Sequence, residues 1–360
     1  MRLLFLLGAL AVCGVLLLWK LDMLPSLTAE AAKPAMHITL EEAEAAKALK
    51  PSTDPIEVEI AGFRQETHAL FTSRNFGELE KRAAALRASK ATFRNGSWKL
   101  TQYYTALECR DTEPEGTWTL FEKLHRDWVA AYPQSVTPRV ALAQFLTNYA
   151  WKARGSGWAK DVTENGWKLF GERLEAARQI LLEARAFPEK DPYWWRVGMT
   201  VALGQNWPKK DFDQITDEAV KFEPKFWGYY LARAHSLLPK WQGQPGEWEA
   251  YADRAAALPE GPGPEIYARI VIYLRGSYDN IYHESKASWP KTREGLKILR
   301  QKYPDSLEIL SQTALLAATA EDREAAQAAF KELGETYLPD VWRRPERYVH
   351  ARHWAQTGTW

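Results

Sequence analysis

Helix stops recur along this chain at intervals that suit a row of short helices and little else. Tyr132-Pro133, Phe187-Pro188, Phe222-Glu223-Pro224, Leu258-Pro259 and Tyr303-Pro304 each close one helical pattern just before another opens. Proline does this by removing an amide donor and clashing with the preceding turn. The later intervals are about 35 to 45 residues, the period of helix–turn–helix repeats. Other breaks lie between these and carry tryptophan and glycine: Arg154-Gly155-Ser156-Gly157-Trp158, Asn206-Trp207-Pro208, Pro239-Lys240-Trp241-Gln242-Gly243 and Ser288-Trp289-Pro290. The two kinds of break alternate.

Apolar residues recur at helical spacing from Ile60 onward, as in Leu79, Ala83 and Leu86, and strand-like alternation is nearly missing. Pairing the helices predicts seven hairpins: 60–72 with 76–92, 98–109 with 118–132, 135–153 with 167–186, 192–205 with 211–222, 226–237 with 246–258, 264–278 with 291–303, and 306–319 with 322–334. Ser135 and Ser306 follow helix stops, where their hydroxyls can cap the next helix. In this register the Pro-marked links join one hairpin to the next. The Trp-bearing links fall inside the third to sixth hairpins, so in a stacked array Trp158, Trp207, Trp241 and Trp289 share one rim.

Composition narrows the function classes. Hydrophobic residues make up 46 % of the chain and charged residues 26 %, enough for a core and a soluble surface. Lys+Arg number 47 against 46 Asp+Glu, and without a basic excess a nucleic-acid partner is not expected. Cys13 and Cys109 are the two cysteines, too few for a metal quartet or a disulfide framework. No metal or cofactor is expected, and Cys109 reads as a buried, inert thiol. The 17 tryptophans suit gap-filling between uneven helices as well as ligand stacking.

The amino end reads as an address. Arg2 precedes an apolar run over residues 3–19, and Lys20-Leu21-Asp22 follows. We expect a signal anchor or signal peptide over 1–22, with retention as an anchor favoured, Trp19 at the interface and the body exported. Lipidation at Cys13 is the weaker alternative, because Val12 is bulky for a cleavage position. The remaining expected boundaries are a flexible tether over 23–59, a helical-repeat domain over 60–345, and a tail over 346–360 that leaves a further helix open.

Two stretches go beyond generic repeats. One is Ala150-Trp151-Lys152-Ala153-Arg154-Gly155-Ser156-Gly157-Trp158 with Val162-Thr163 and Gly166-Trp167. The other is Leu238-Pro239-Lys240-Trp241-Gln242-Gly243-Gln244-Pro245-Gly246-Glu247-Trp248. With Gly96-Ser97-Trp98-Lys99-Leu100, Ala202-Leu203-Gly204-Gln205 and Tyr267-Ala268-Arg269, the chain resembles a bacterial family known as domain of unknown function 4034, over residues 70–340. The resemblance implies a bacterial origin and lends no activity or catalytic residue.

The candidate binding residues are therefore Arg154, Trp158, Trp207, Lys240, Trp241, Glu247 and Trp248. Arg154 suits a carboxylate or phosphate, and the Trp-rich loop 238–248 has the flat faces and hydrogen-bonding arms of a peptide or sugar groove. The purely structural alternative makes Gly155 a helix stop, Arg154 a complement to the helix dipole and Glu247 the acidic start of a helix. No His-Glu-x-x-His, Gly-x-Ser-x-Gly or dinucleotide fingerprint is present. The overall expectation is an all-α, tetratricopeptide-like α-solenoid behind an N-terminal membrane segment. It would sit in the bacterial envelope, anchored in the inner membrane with a periplasmic body, and bind a protein or peptide. A cell-wall glycan or peptide enzyme with Glu247 as acid, and a structural assembly subunit, are the alternatives.

Overall fold

Each Pro-marked break in the sequence coincides with the end of a helix. The computed structural model describes residues 38–157 and 159–360. The apolar run at 3–19, residues 23–37 of the expected tether, and Trp158 lie outside them. In order the helices are α1 (Leu40–Ala48), α2 (Pro55–Thr72), α3 (Phe76–Ser89), α4 (Lys99–Thr105), α5 (Glu115–Ala131), α6 (Thr137–Arg154), α7 (Glu164–Arg185), α8 (Pro192–Gly204) and α9 (Lys209–Phe222). There follow α10 (Gly228–Ser236), α11 (Glu247–Ala256), α12 (Glu265–Leu274), the single turn α13 (Ile281–Glu284), α14 (Trp289–Lys302), α15 (Leu307–Thr319), α16 (Arg323–Leu333), the single turn α17 (Pro339–Trp342) and α18 (Pro345–Thr357). Among the described residues the fold is all-helical, with one isolated bridge between Thr92 and Trp98.

Local chemistry sets the boundaries. Asp191 caps α8 by accepting the Tyr193 amide at 2.8 Å, and Pro192 fills the first helical position. Ser306 accepts the Ile309 amide at 3.2 Å to start α15, and the Ser135 hydroxyl accepts the Thr137 amide at 3.2 Å as α6 begins. Consecutive helices then pack: α6 on α7, α8 on α9, α10 on α11, α12 on α14 and α15 on α16, while α6, α8, α10 and α12 also touch in succession. The apolar faces make three successive clusters along this row, with Trp118, Trp128, Trp248 and Trp342 fully buried. One expected pairing differs. Helix α4 packs on α2 and α3, and α5 packs on α6; at Lys99–Thr105, α4 is too short to serve as half of an independent hairpin.

The tether expectation is corrected from Leu40 onward. Residues Leu40–Trp360 form one compact unit, because the amino-terminal segment is fastened along the links that join hairpin to hairpin. Arg87 reaches Glu189 at 2.8 Å and buried Asp191 at 3.1 Å. Lys90 pairs with Glu223, and the Gly96 carbonyl accepts the Trp227 indole N–H at 3.0 Å. Gly96 has φ +79°, and a Cβ there would lie 2.5 Å from the Tyr303 ring, so only glycine allows this approach. Asp54 caps α2 through the Ile56 amide and accepts the Glu308 amide of α15 at 3.0 Å. Ser52 and Tyr337 exchange two hydrogen bonds, and Glu42 meets His350 at 2.9 Å. The expected C-terminal tail is helix α18, against which α1 packs.

Candidate functional site

The opposite edge, where the Trp-bearing links lie, carries no such strap among the described residues. Its first corner is the end of α6. Gly155, at φ +75°, stops the helix. The Arg154 guanidinium then donates to the carbonyls of Gly155 and Gly157, each at 3.0 Å. It also lies 5.7 Å from the ring centres of both Trp151 and Trp167, within cation–π range. It has no carboxylate partner among the described residues, and burial pulls its pKa down.

The second corner follows α8. Trp207 is half-buried and donates its indole N–H to Gln205 Oε1 at 2.9 Å. Its ring also walls a cleft of about 360 Å³ that includes Arg178, Leu181, Trp194 and Asp211.

The third corner follows α10. Half-buried Trp241 donates to His235 Nε2 at 2.9 Å, so that imidazole is neutral with its proton on Nδ1. Burial, reinforced by Lys240 and Arg196, lowers the His235 pKa to about 4, which agrees with that role. The Trp241 ring meets Trp151 edge to face at 6.0 Å. Gln242 donates to Asn206 Oδ1 at 2.8 Å and to the Trp207 carbonyl at 2.7 Å, binding the second corner to the third. Gly243 is obligatory, since a Cβ would fall 1.8 Å from the Leu237 carbonyl oxygen. Lys240 reaches out to Ser277 Oγ at 3.2 Å. Two buried polar atoms at this junction, Trp151 Nε1 and Gln242 Oε1, have no partner among the described residues.

The structure therefore brings Arg154, Trp207, Lys240 and Trp241 onto one edge and assigns two other candidates to the scaffold. Trp248 is 1 % exposed, with its indole N–H on the Tyr278 hydroxyl at 2.9 Å. Glu247 accepts the Gln244 amide at 2.9 Å and pairs with Lys209. Lys209 leads the causes that hold its carboxyl below the ordinary range, so Glu247 is ionised at neutral pH and unsuited to act as an acid. Trp289 is likewise held, by Asp322 at 2.8 Å. Trp158 lies outside the described residues.

Sequence reasoning missed a polar cluster on the helices behind this edge. Glu108 accepts Gln144 Nε2 at 3.1 Å, and Gln144 also donates to Asn148 Oδ1 at 2.9 Å. Burial pushes the Glu108 pKa up to about 7. Arg64 donates to Gln102 at 2.8 Å and Arg196 to Thr200 at 2.5 Å, and neither makes an ion pair among the described residues. The available signal was polar residues four apart on otherwise apolar helices: Gln144 with Asn148 and Arg196 with Thr200. Cys109 is buried, and burial raises its thiol pKa. No cluster of His, Cys, Asp and Glu among the described residues is placed to hold a metal.

The comparisons with known proteins add one finding. Residues 63–196 match the family described as domain of unknown function (DUF4034). No curated protein matches, and no solved structure does. The match takes in Gly96-Ser97-Trp98-Lys99-Leu100 and the motif from Ala150 to Trp158, and it ends before the loop at 238–248. Over residues 63–196 the chain is therefore similar to the DUF4034 family.

Proposed function

We propose that this chain is a binding module: a tetratricopeptide-like α-solenoid that holds a protein or peptide segment on its Trp-bearing edge. The observation that carries this reading is the difference between the two edges. Links between hairpins are filled by the chain's own residues 42–98, whereas Arg154, Trp207 and Trp241 stay half-buried on the other edge, with no carboxylate on the guanidinium among the described residues. Aromatic faces and an unpaired arginine are the residue types that dominate interface energetics. Neutral His235 and unpartnered Trp151 Nε1 and Gln242 Oε1 add polar groups beside them.

The setting we propose is the bacterial envelope, with residues 3–19 as an inner-membrane anchor and the body in the periplasm. The apolar run and its flanking charges support it. Among the described residues no helix is long and apolar enough to cross a membrane.

The test is a displayed-peptide selection on the full-length protein in detergent, followed by titration of the selected peptides. Arg154→Ala and Trp241→Ala should each weaken binding tenfold or more. Arg94→Ala, on the strapped edge, should leave it unchanged. Equal losses in all three, or none, would remove the basis for this reading.

A further inference from the structure

Four arginines meet where α17 turns into α18. Arg275, just past α12, donates from Nε to Gln312 Oε1 at 3.1 Å and from Nη2 to the Val341 carbonyl at 3.0 Å. Two residues beyond Val341 stands Arg343, in the left-handed region at φ +65°. Its guanidinium lies against the backbone beside Arg275: a Cβ on Gly276 would be 3.0 Å from Arg343 Nη2. Arg344 occupies the N-cap position of α18 without capping it, and Arg347 lies in the first turn. None of the four pairs with a carboxylate among the described residues, and the side chains of Arg343, Arg344 and Arg347 make no hydrogen bond there.

Such a cluster is unfavourable as it stands. The amino end of a helix carries bare amides and partial positive charge, and it ordinarily attracts acids. Here Arg343, Arg344 and Arg347 stand just before it, at its N-cap and in its first turn. Burial, followed by Arg347 and Arg343, pulls the Arg275 pKa down to about 10. Burial, followed by Arg343 and Arg344, also pulls Arg347 down. Glu346 in the first turn is one nearby acid. Glu308 is another, its carboxyl pKa raised by burial and then Glu57 although Arg269 opposes this, and Asp340 lies in α17 three residues before Arg343. An anion seated among the guanidiniums would relieve this repulsion. A phosphate, with a charge of about −1.5 to −2 and three acceptor oxygens, suits four cations better than one carboxylate does, and each guanidinium fork can grip it through two N–H groups.

We propose that Arg275, Arg343, Arg344 and Arg347, with the amino end of α18, form a binding site for a phosphate group. The group comes either from a free phosphorylated compound or from a lipid headgroup. This site is independent of the Trp-bearing edge and of the reading attached to it.

The test titrates the full-length protein in non-ionic detergent with pyrophosphate, at constant ionic strength set by chloride. The wild type should show saturable binding and a raised melting temperature. The Arg343→Gln/Arg344→Gln variant alters two exposed side chains. It should bind at least tenfold more weakly, show no such rise, and melt no lower without ligand. Arg352→Gln, whose guanidinium pairs with Glu335 at 2.8 Å farther along α18, should bind as the wild type does. A parallel flotation assay compares phosphatidylglycerol with phosphatidylcholine vesicles. A tenfold loss confined to phosphatidylglycerol would assign the phosphate to a lipid headgroup. If neither probe separates wild type from the double variant, or if a hexa-aspartate peptide binds the wild type more tightly than both, the proposal is overturned.

Discussion

Trp248 and Trp241 stand seven residues apart and do different work. Trp248 fills the core and satisfies its N–H on Tyr278, whereas Trp241 sits half-buried at the junction of two links. Trp248→Ala should therefore lower unfolding free energy by about 3–5 kcal/mol, while Trp241→Ala should cost clearly less; thermal melts of the two variants check this. A similar loss in both would mean that Trp241 is also a core residue. Buried His125 and half-buried His235 give a pH prediction. His125 and His235 both have folded-state pKa values lowered to about 4, chiefly by burial. The unfolded chain takes up these protons below about pH 6.5, and the folded chain does so only near 4. Their contribution is thus whole above 6.5 and is lost as pH falls toward 4, at most about 3 kcal/mol for each imidazole. Denaturant melts across that window should show falling stability, with a shallower slope in His235→Gln. An unchanged slope would refute the assignment of a neutral His235.

At the scale of elements, the boundaries of most helices were legible because their causes are local. Pro133, Pro188, Pro224 and Pro304 stop helices by their own covalent geometry, and Ser306 and Asp191 cap by reaching two or three residues ahead. What could not be read was the pairing of α4 and the fastening of residues 40–59. Glu42 finds His350 across 308 positions and Asp54 finds Glu308 across 254, and no periodic pattern encodes such a contact. The Trp-rich loop was legible as a rim, yet which indole turned inward was not. Trp248 is buried because α11 begins one residue earlier and its apolar face continues through Ala252 and Ala255. Asp54 offers a test of the fastening. One carboxylate serves the amino ends of both α2 and α15, so Asp54→Ala should cost about 2 kcal/mol, roughly two caps. It should also speed proteolysis between Leu40 and Thr72. A loss typical of one cap, with unchanged proteolysis, would indicate that the segment is held by other contacts.

At the scale of the whole molecule, the chain uses its own amino-terminal segment to fill one edge of a helical row. That segment touches the link after α7 through Arg87, the link after α9 through Lys90, and the link after α14 through Arg94 and Asp305 at 3.4 Å. Long-range closure of this kind makes the ends of the row depend on each other. Among the described residues it leaves the Trp-bearing links uncovered, the edge on which the proposed partner would seat. Hydrogen–deuterium exchange of the full-length protein, with and without a selected peptide, tests this asymmetry most directly. Protection should appear at residues 151–157, 205–208 and 235–243 and be absent at 187–190, 222–226 and 303–306. Protection concentrated on the second set, or on neither, would contradict the account.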